Sequence, residues 1–374
     1  MRVAALGDAH LGRAYYSYTT PDGFNQRERD FEDSFTAAVQ LALDQSPDLV
    51  VWLGDIFDHP RPTYRSYRIA QRALARIRDH GVPLVVITGN HDTPRLPGTG
   101  SPYSALADTF ADVRFAHRMA YERFELPGLV VHAVPLMLTV DATLDALAEV
   151  RLSRSADSTN LLLTHPRVPQ VEPHHADINE IEVDAGLLRS SADLALLGHY
   201  HFHTKVDTGI WYAGSTDTFS FADDPEVAKG IIVLDTDSGE VSHVALTGQR
   251  PLLTLPTVHA LGLSPAEVQT RVLEQVSGVS AGAVARLFLE GVDAEAWRML
   301  DLEAVRDAAS QALHLKLEPD FASSRTNVEL PELSSLPVQW ANYVDAQDLV
   351  GFDRDRIRDR GDEYLAHAVE EAAD

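Results

Sequence analysis

Five short, mostly apolar runs constrain this chain more than any other feature: Val3–Leu6, Asp48–Leu53, Val82–Ile87, Leu161–Leu163 and Leu194–Leu197. Runs of this length bounded by Gly and polar residues read as strands buried on both faces. Between them the period changes. From Gln26 to Gln45, Phe31, Phe35, Ala38, Val39 and Ala42 recur at helical spacing, and Tyr64 to Asp79 is helical again. Strands alternating with helices imply βαβ units and an α/β class. Each run also stops two or three residues before an Asp, Asn or His: Asp8 with His10, Asp55, Asn90 with His91, His165, and His199 with His201. Loops leaving strand ends are where open α/β sheets carry their sites.

Composition sharpens what those residues can hold. The chain has 16 His and no Cys among 374 residues. Absence of Cys excludes disulfides, thiol nucleophiles, iron–sulfur clusters and Cys-type zinc sites, so any metal is held by nitrogen and oxygen. In Asp8-x-His10 and His199-x-His201, alternate positions on an extended segment would point the same way. Gly54, Gly89 and Gly198 permit tight turns beside an ion. Carboxylates, imidazoles and one carboxamide suit Mn²⁺, with Fe²⁺ or Zn²⁺ as alternatives. Two such ions, about 3.5–4 Å apart and sharing a carboxylate, can activate water and clamp a phosphoester. Taken singly, an Asp-x-His pair is incidental in most chains, and Gly54-Asp55 reads as a turn or helix cap. Five such elements, each at a strand end, do not reduce to those readings.

Charge limits the partners. With 31 Lys+Arg against 56 Asp+Glu, the net charge of −25 argues against a surface coated by nucleic acid but leaves room for a local basic groove. Arg61, Arg65, Arg68 and Arg72 step by four, three and four, which places them on one helix face, with Tyr64 and Tyr67 interleaved. Such a face can bind phosphates without sequence preference, and tyrosines can stack on bases. The expected contacts are Arg61, Arg65 and Tyr64, with Arg13 beside Tyr15, Tyr16 and Tyr18 as a second group. A plain solvated helix face is the alternative, and is the reading for Arg76 and Arg78.

Three segments are expected: 1–250 as the main domain, 251–320 as a small α+β capping domain, and 321–374 as a C-terminal tail. A hairpin of Gly230–Leu234 with Val241–Leu246 closes the first. Ser264, Pro265 and Glu267 form a capping box opening a helix in the second, followed by a strand over Val284–Leu289 and a helix from about Asp301 to Leu313. The tail carries an Asp/Arg alternation from Asp353 to Arg360 and then a short helix around Tyr364 to Glu371; it should dock on a partner or on the body. No apolar run approaches membrane-spanning length, and the first residues do not read as a signal peptide, so a cytoplasmic protein with no membrane contact is expected.

Gly7-Asp8-Ala9-His10, Gly54-Asp55-Ile56-Phe57-Asp58, Gly89-Asn90-His91-Asp92, Thr164-His165 and Gly198-His199-Tyr200-His201 resemble the five signatures of the calcineurin-like metallophosphoesterase superfamily. Three features are similar to its SbcD-type DNA repair branch: the Pro-containing stretch and helix after Asp58, Tyr212–Ser215 followed by Phe219-Ser220-Phe221, and the small α+β domain. The resemblance implies a four-layer α/β/β/α sandwich. It implies that Asp8, His10, Asp55 and His201 hold one metal, and that Asp55, Asn90, His165 and His199 hold a second, with Asp55 bridging. His91 would protonate the leaving 3′ oxygen, and Asp58 or His59 would support it. His174, His175 and His203 read as surface or loop residues. The implied function is a Mn²⁺-dependent DNA nuclease, with 3′–5′ exonuclease and single-strand or hairpin endonuclease activity. It would work in double-strand-break repair at the nucleoid with an SMC-like ATPase of SbcC type docked on the tail; a homodimer is the other assembly allowed. The competing readings are a small-molecule or cyclic-nucleotide phosphodiesterase and a non-catalytic scaffold.

Overall fold

The computed structural model describes residues 1–16, 18–96, 99–171, 180–223, 227–322, 336–346 and 353–371. Two compact units are present, Met1–Asp320 and Phe321–Asp374. The larger unit begins with a sheet in which β1 (Arg2–Leu6), β2 (Leu49–Leu53), β3 (Leu84–Ile87) and β4 (Arg114–Ala116) run parallel. A second sheet holds β5 (Glu122–Leu126), β6 (Leu129–Val134), β7 (Thr159–Thr164), β8 (Leu194–Leu197), β9 (Thr204–Asp207) and β10 (Ile210–Tyr212) in the order 5-6-7-8-10-9. Strands β11 (Gly230–Asp235) and β12 (Val241–Ala245) return to the first sheet, antiparallel, beside β1.

Period-two alternation explains why the two sheets stack. One face of the first sheet, Val3, Ala5, Leu49, Val51, Leu53, Val85 and Ile87, packs on Leu129, Val131, Leu161, Leu163 and Leu196 of the second. The opposite face, Ala4, Leu6, Val50, Trp52 and Val86, takes Phe35, Ala38 and Val39 of helix α1 (Gln26–Asp44) and Ala70, Leu74 and Ile77 of α2 (Tyr64–Asp79). A short α3 (Ser104–Thr109) joins the same layer through Leu106. Beyond the second sheet, Leu162, Ala195 and Leu197 meet Ala146, Leu147 and Val150 of α4 (Val140–Leu152) and Leu188 of α5 (Ala185–Ser191). The result is the expected four-layer α/β/β/α sandwich. Strands that are apolar on both faces follow directly, because every residue of β2 and β3 is buried.

A small third sheet is built around β15 (Val284–Val292), flanked by β13 (Leu252–Thr254), β14 (Val258–His259) and β16 (His314–Phe321). Helices α6 (Pro265–Val276), α7 (Ala294–Arg298) and α8 (Leu302–Ala308) cover it with Val268, Val272, Ala296 and Val305. The Ser264–Glu267 capping box is present as expected. The expected helix through Leu313 is not: α8 ends at Ala308, and 314–321 is drawn into β16 by pairing with β15. This sheet is held to the sandwich by polar contacts. Arg250 pairs with Asp30 of α1 at 2.6 Å, Arg286 donates to the Phe221 carbonyl at 3.2 Å, and His314 stacks on Tyr16 with centroids 4.4 Å apart.

In the second unit, α9 (Leu336–Ala346) packs on α10 (Arg354–Glu371). The Asp/Arg alternation lies inside α10 rather than before it. The Asp353 carboxylate accepts the Arg356 N–H at 3.2 Å, and the helix starts ten residues before the expected Tyr364. Trp340 donates to the Arg358 carbonyl at 3.1 Å, beside Gly361, where a side chain would strike the indole.

Candidate metal centre

All five polar strand ends converge where β1, β2, β3, β7 and β8 finish. Asp8, His10, Asp55 and His165 are buried, while Asn90 is half-buried. Ligand atoms of Asp8, His10 and His201 lie within 4.8 Å of one another, and so do those of Asp8, Asp55 and His165. His10 Nε2 faces His201 Nε2 at 3.2 Å. His165 Nε2 stands 3.2 Å from Asn90 Oδ1 and 3.3 Å from Asp55 Oδ2, and His199 Nδ1 stands 3.1 Å from the same Asn90 oxygen.

Backbone conformation, not strand alternation, achieves this convergence. Asp8, His10 and Asp55 have φ of 49°, 47° and 50°, and His199 has φ of 103°, so neither Asp8-x-His10 nor His199-x-His201 lies on an extended segment. The expectation of alternate side chains on a strand was therefore wrong in mechanism. Left-handed turns for non-glycine residues carry strain and persist where the surroundings fix them. Here Asp8 N–H donates to the Gly54 carbonyl at 3.2 Å, His10 N–H to the Asp55 carbonyl at 2.9 Å, and His199 N–H to the Asp8 carboxylate at 3.0 Å. The glycines before the ligands are needed for space. A Cβ at Gly198 would lie 2.1 Å from the Leu53 carbonyl oxygen, and one at Gly89 2.3 Å from Asp55 Oδ1.

The electrostatics suit a cation. Burial pushes the Asp8 carboxyl well above the usual range, with the nearby Asp55 adding to the shift. Burial also works against the Asp55 charge, but His165 beside it outweighs this and holds Asp55 well below the usual carboxylate range. His165 is opposed by burial as well, yet Asp55 and Asp8 raise it to about 9. His10 and His201 are shifted down by burial. Asp8 and Asp55 thus crowd His165 in a buried space, while the rings of His10 and His201 turn Nε2 toward each other. A divalent cation would relieve both, and this donor set fits one.

His91 borders the cluster. Its ring meets His10 edge-on at 4.6 Å, its backbone N–H donates to Asp55 Oδ1 at 2.8 Å, and its ring Nδ1 lies 3.1 Å from the Asp58 carbonyl oxygen. Asp58 stands behind His10: its Oδ1 is 3.1 Å from His10 Nδ1 and 3.1 Å from Arg13. The same carboxylate oxygen is 3.7 Å from His91 Nδ1, so Asp58 stands between the His10 and His91 rings, where a group supporting His91 was expected. His59 is exposed and accepts the Arg61 N–H at 3.0 Å, away from the cluster.

The expected arginine face is only partly formed. Arg61 and Tyr64 are exposed, Tyr64 at 93%. Arg65 instead makes a two-pronged ion pair with Glu32 of α1, itself 3% exposed, and lies over the Phe24 ring. Its charge is already matched. Arg13 is committed to Asp58 and lies over Phe219, 4.1 Å from the ring centre. His203 stacks on His243 with centroids 3.6 Å apart, and His174 and His175 lie outside the described residues.

Four residues take places around the cluster that the sequence reading did not assign to them. Asp92 is buried, accepts the N–H groups of Gly89 at 2.8 Å and Ile56 at 3.0 Å, and bonds Tyr103 at 2.5 Å, so it ties the Asp55 and Asn90 turns together. Burial raises its carboxyl to about 7. Its place next to His91 was the available signal. Phe219 packs on His10 and His201 at 4.6 and 4.3 Å and walls that side of the cluster. Lys229 donates to the His201 carbonyl at 2.5 Å. Glu180 meets His199, and no local pattern marks it.

A four-layer sandwich with this nitrogen–oxygen cluster at its strand ends defines a metallophosphoesterase. The family model for calcineurin-like phosphoesterase matches residues 1–203, and the chain belongs to that family. It is similar to the protein named DNA double-strand break repair protein Mre11 from several archaea. The Saccharolobus solfataricus protein is 28% identical over 222 residues, covering 58% of this chain and 55% of the relative. That of Methanocaldococcus jannaschii is 26% identical over 254 residues, covering 64% of each. That of Thermoplasma acidophilum is 27% identical over 263 residues, covering 66% and 65%. The chain thus spans 55–65% of the length of these relatives. Among the described residues no helix is long and apolar enough to cross a membrane.

Proposed function

We propose that this chain is a dinuclear-metal DNA nuclease that hydrolyses phosphodiester bonds in double-strand-break repair. The observation that carries the proposal is the buried cluster of Asp8, Asp55, His10 and His165, joined by the half-buried Asn90, with His91 on its edge. Asp8, His10, Asp55 and His201 would hold one ion and Asp55, Asn90, His165 and His199 the other, with Mn²⁺ favoured by the mixed carboxylate–imidazole set. Ions bound there would activate water and offset the charge on the phosphate. The protein's own groups supply the rest. Asp58 fixes the His10 ring, the Asp58 carbonyl fixes His91 through Nδ1, and His91 Nε2 would carry the proton delivered to the leaving 3′ oxygen. Phe219 restricts water on one side of the cluster.

The name shared by the relatives favours DNA over a small ester. Arg61, exposed in the loop before α2, and Tyr64, exposed at its first residue, would meet the backbone and bases. Residues 251–320 would cap the DNA, and 321–374 would dock an SMC-like ATPase, in the cytoplasm at the nucleoid. Linear duplex, a DNA hairpin and bis-nitrophenyl phosphate, each incubated with Mn²⁺ and with chelator, test the reading. Metal-dependent DNA cleavage lost in His91→Ala is expected. Robust hydrolysis of the small ester with no cleavage of DNA would replace it with a small-molecule phosphodiesterase.

A further inference from the structure

Three histidines of the cluster share one arrangement: one ring nitrogen faces the other ligands and the opposite nitrogen meets a fixed acceptor. His10 turns Nε2 inward and sets Nδ1 3.1 Å from Asp58 Oδ1. His165 turns Nε2 inward and sets Nδ1 2.6 Å from the Leu53 carbonyl oxygen. His199 is reversed: Nδ1 faces Asn90, and Nε2 lies 3.2 Å from Glu180 Oε1.

We propose that Glu180 is the positioning residue for the second metal. The inference rests on the dinuclear reading and deepens it. Glu180 accepts the His199 Nε2 proton, which leaves the Nδ1 lone pair free for a cation and makes it more basic. The carboxylate is well placed for this, since its side chain and that of His199 are 11% and 10% exposed. It is also held in place. The neighbouring Ile181 carbonyl accepts the Arg167 N–H at 2.9 Å, and Val183 N–H donates to the Arg167 carbonyl at 2.9 Å. Arg167 is two residues from His165, so the loop that carries one histidine of the second metal also holds the orienter of the other. A cavity of about 480 Å³, lined in part by Asn90 and Glu180, opens beside them. Without the carboxylate, water from that cavity would solvate Nε2 and both imidazole tautomers would be available.

Calorimetric titration of the metal-free full chain with MnCl₂ tests this. Glu180→Ala should weaken one of two Mn²⁺ equivalents by about 10–100-fold and leave the other unchanged. Glu180→Gln, whose amide oxygen still accepts the proton, should fall near the lower end of that loss. The melting temperature of the metal-free variants should match the parent, and the spin-coupled Mn²⁺ pair signal in electron paramagnetic resonance should fade. His199→Ala is the reference. Parent-like binding by E180A alongside a lost equivalent in H199A overturns the role of Glu180 alone. Parent-like binding by both removes the ligand assignment and the role with it. If E180A does not fold, E180Q decides by the same criterion.

Discussion

Replacing Gly89 by alanine places one methyl group where the structure has no room for it. A Cβ there falls 2.3 Å from Asp55 Oδ1, 2.7 Å from Asp55 Cγ and 2.6 Å from His165 Cε1. Ordinary contact begins at 3.4 Å, so the Asp55 carboxylate must retreat by about 1.1 Å or the turn must open. Gly89 does not use the left-handed region, so alanine suits its backbone and the effect is steric. The displaced oxygen is the one that accepts the His91 N–H, so the bridging ligand and the proton donor move together. Overpacking of this kind costs about 1–3 kcal/mol of stability, while a misplacement of about 1 Å at a reacting centre costs on the order of 100-fold in rate. Gly89→Ala should therefore fold, with a modest drop in denaturation midpoint, and lose about 100-fold in Mn²⁺-dependent phosphodiester hydrolysis. Gly278→Ala, where nothing lies within 4 Å and φ is ordinary, is the control and should be neutral or slightly stabilising. Hydrolysis by G89A within a few-fold of the parent would refute the reasoning.

Three other outcomes are expected. Asp217→Ala removes a carboxylate 3.1 Å from Arg27, both fully buried; Asp30 remains, so denaturant titration should show a loss of about 3 kcal/mol, the low end for a broken buried pair. His165, raised from its ordinary value to about 9, contributes stability to the metal-free protein below pH 6.5 and loses it as pH rises through 9. The stability of the metal-free protein should fall across that window by on the order of 3 kcal/mol, seen as a lower melting temperature, and saturating Mn²⁺ should flatten the dependence; a flat metal-free profile would contradict the His165–Asp55 pairing. Arg61→Ala should lower the salt slope of DNA binding by about one, whereas Arg65→Ala should destabilise the fold through Glu32 and leave the slope unchanged; equal slopes in both variants would return Arg61 to a solvated role.

The buried strands were legible because residues such as Val50, Val51 and Trp52 are apolar on both faces and form an unbroken run. Edge strands were not, since Glu122–Leu126 and His314–Phe321 mix polar and apolar residues and owe their state to a partner strand. The polar residues that the structure brings together were legible from strand ends alone, but the left-handed turns at Asp8, His10 and Asp55 depend on hydrogen bonds between separate motifs. Helical spacing located α2 correctly. It could not reveal that Glu32, on another helix, captures Arg65. Glu180 and Asp92 act through backbone and ring contacts that no spacing announces.

The central claim is that two divalent ions share Asp55 in this cluster. Anomalous diffraction from crystals soaked in MnCl₂ measures that directly. Two peaks are predicted on either side of the Asp55 carboxylate, one among Asp8, His10 and His201 and the other among Asn90, His165 and His199. A single peak, or none at these residues, would contradict the claim.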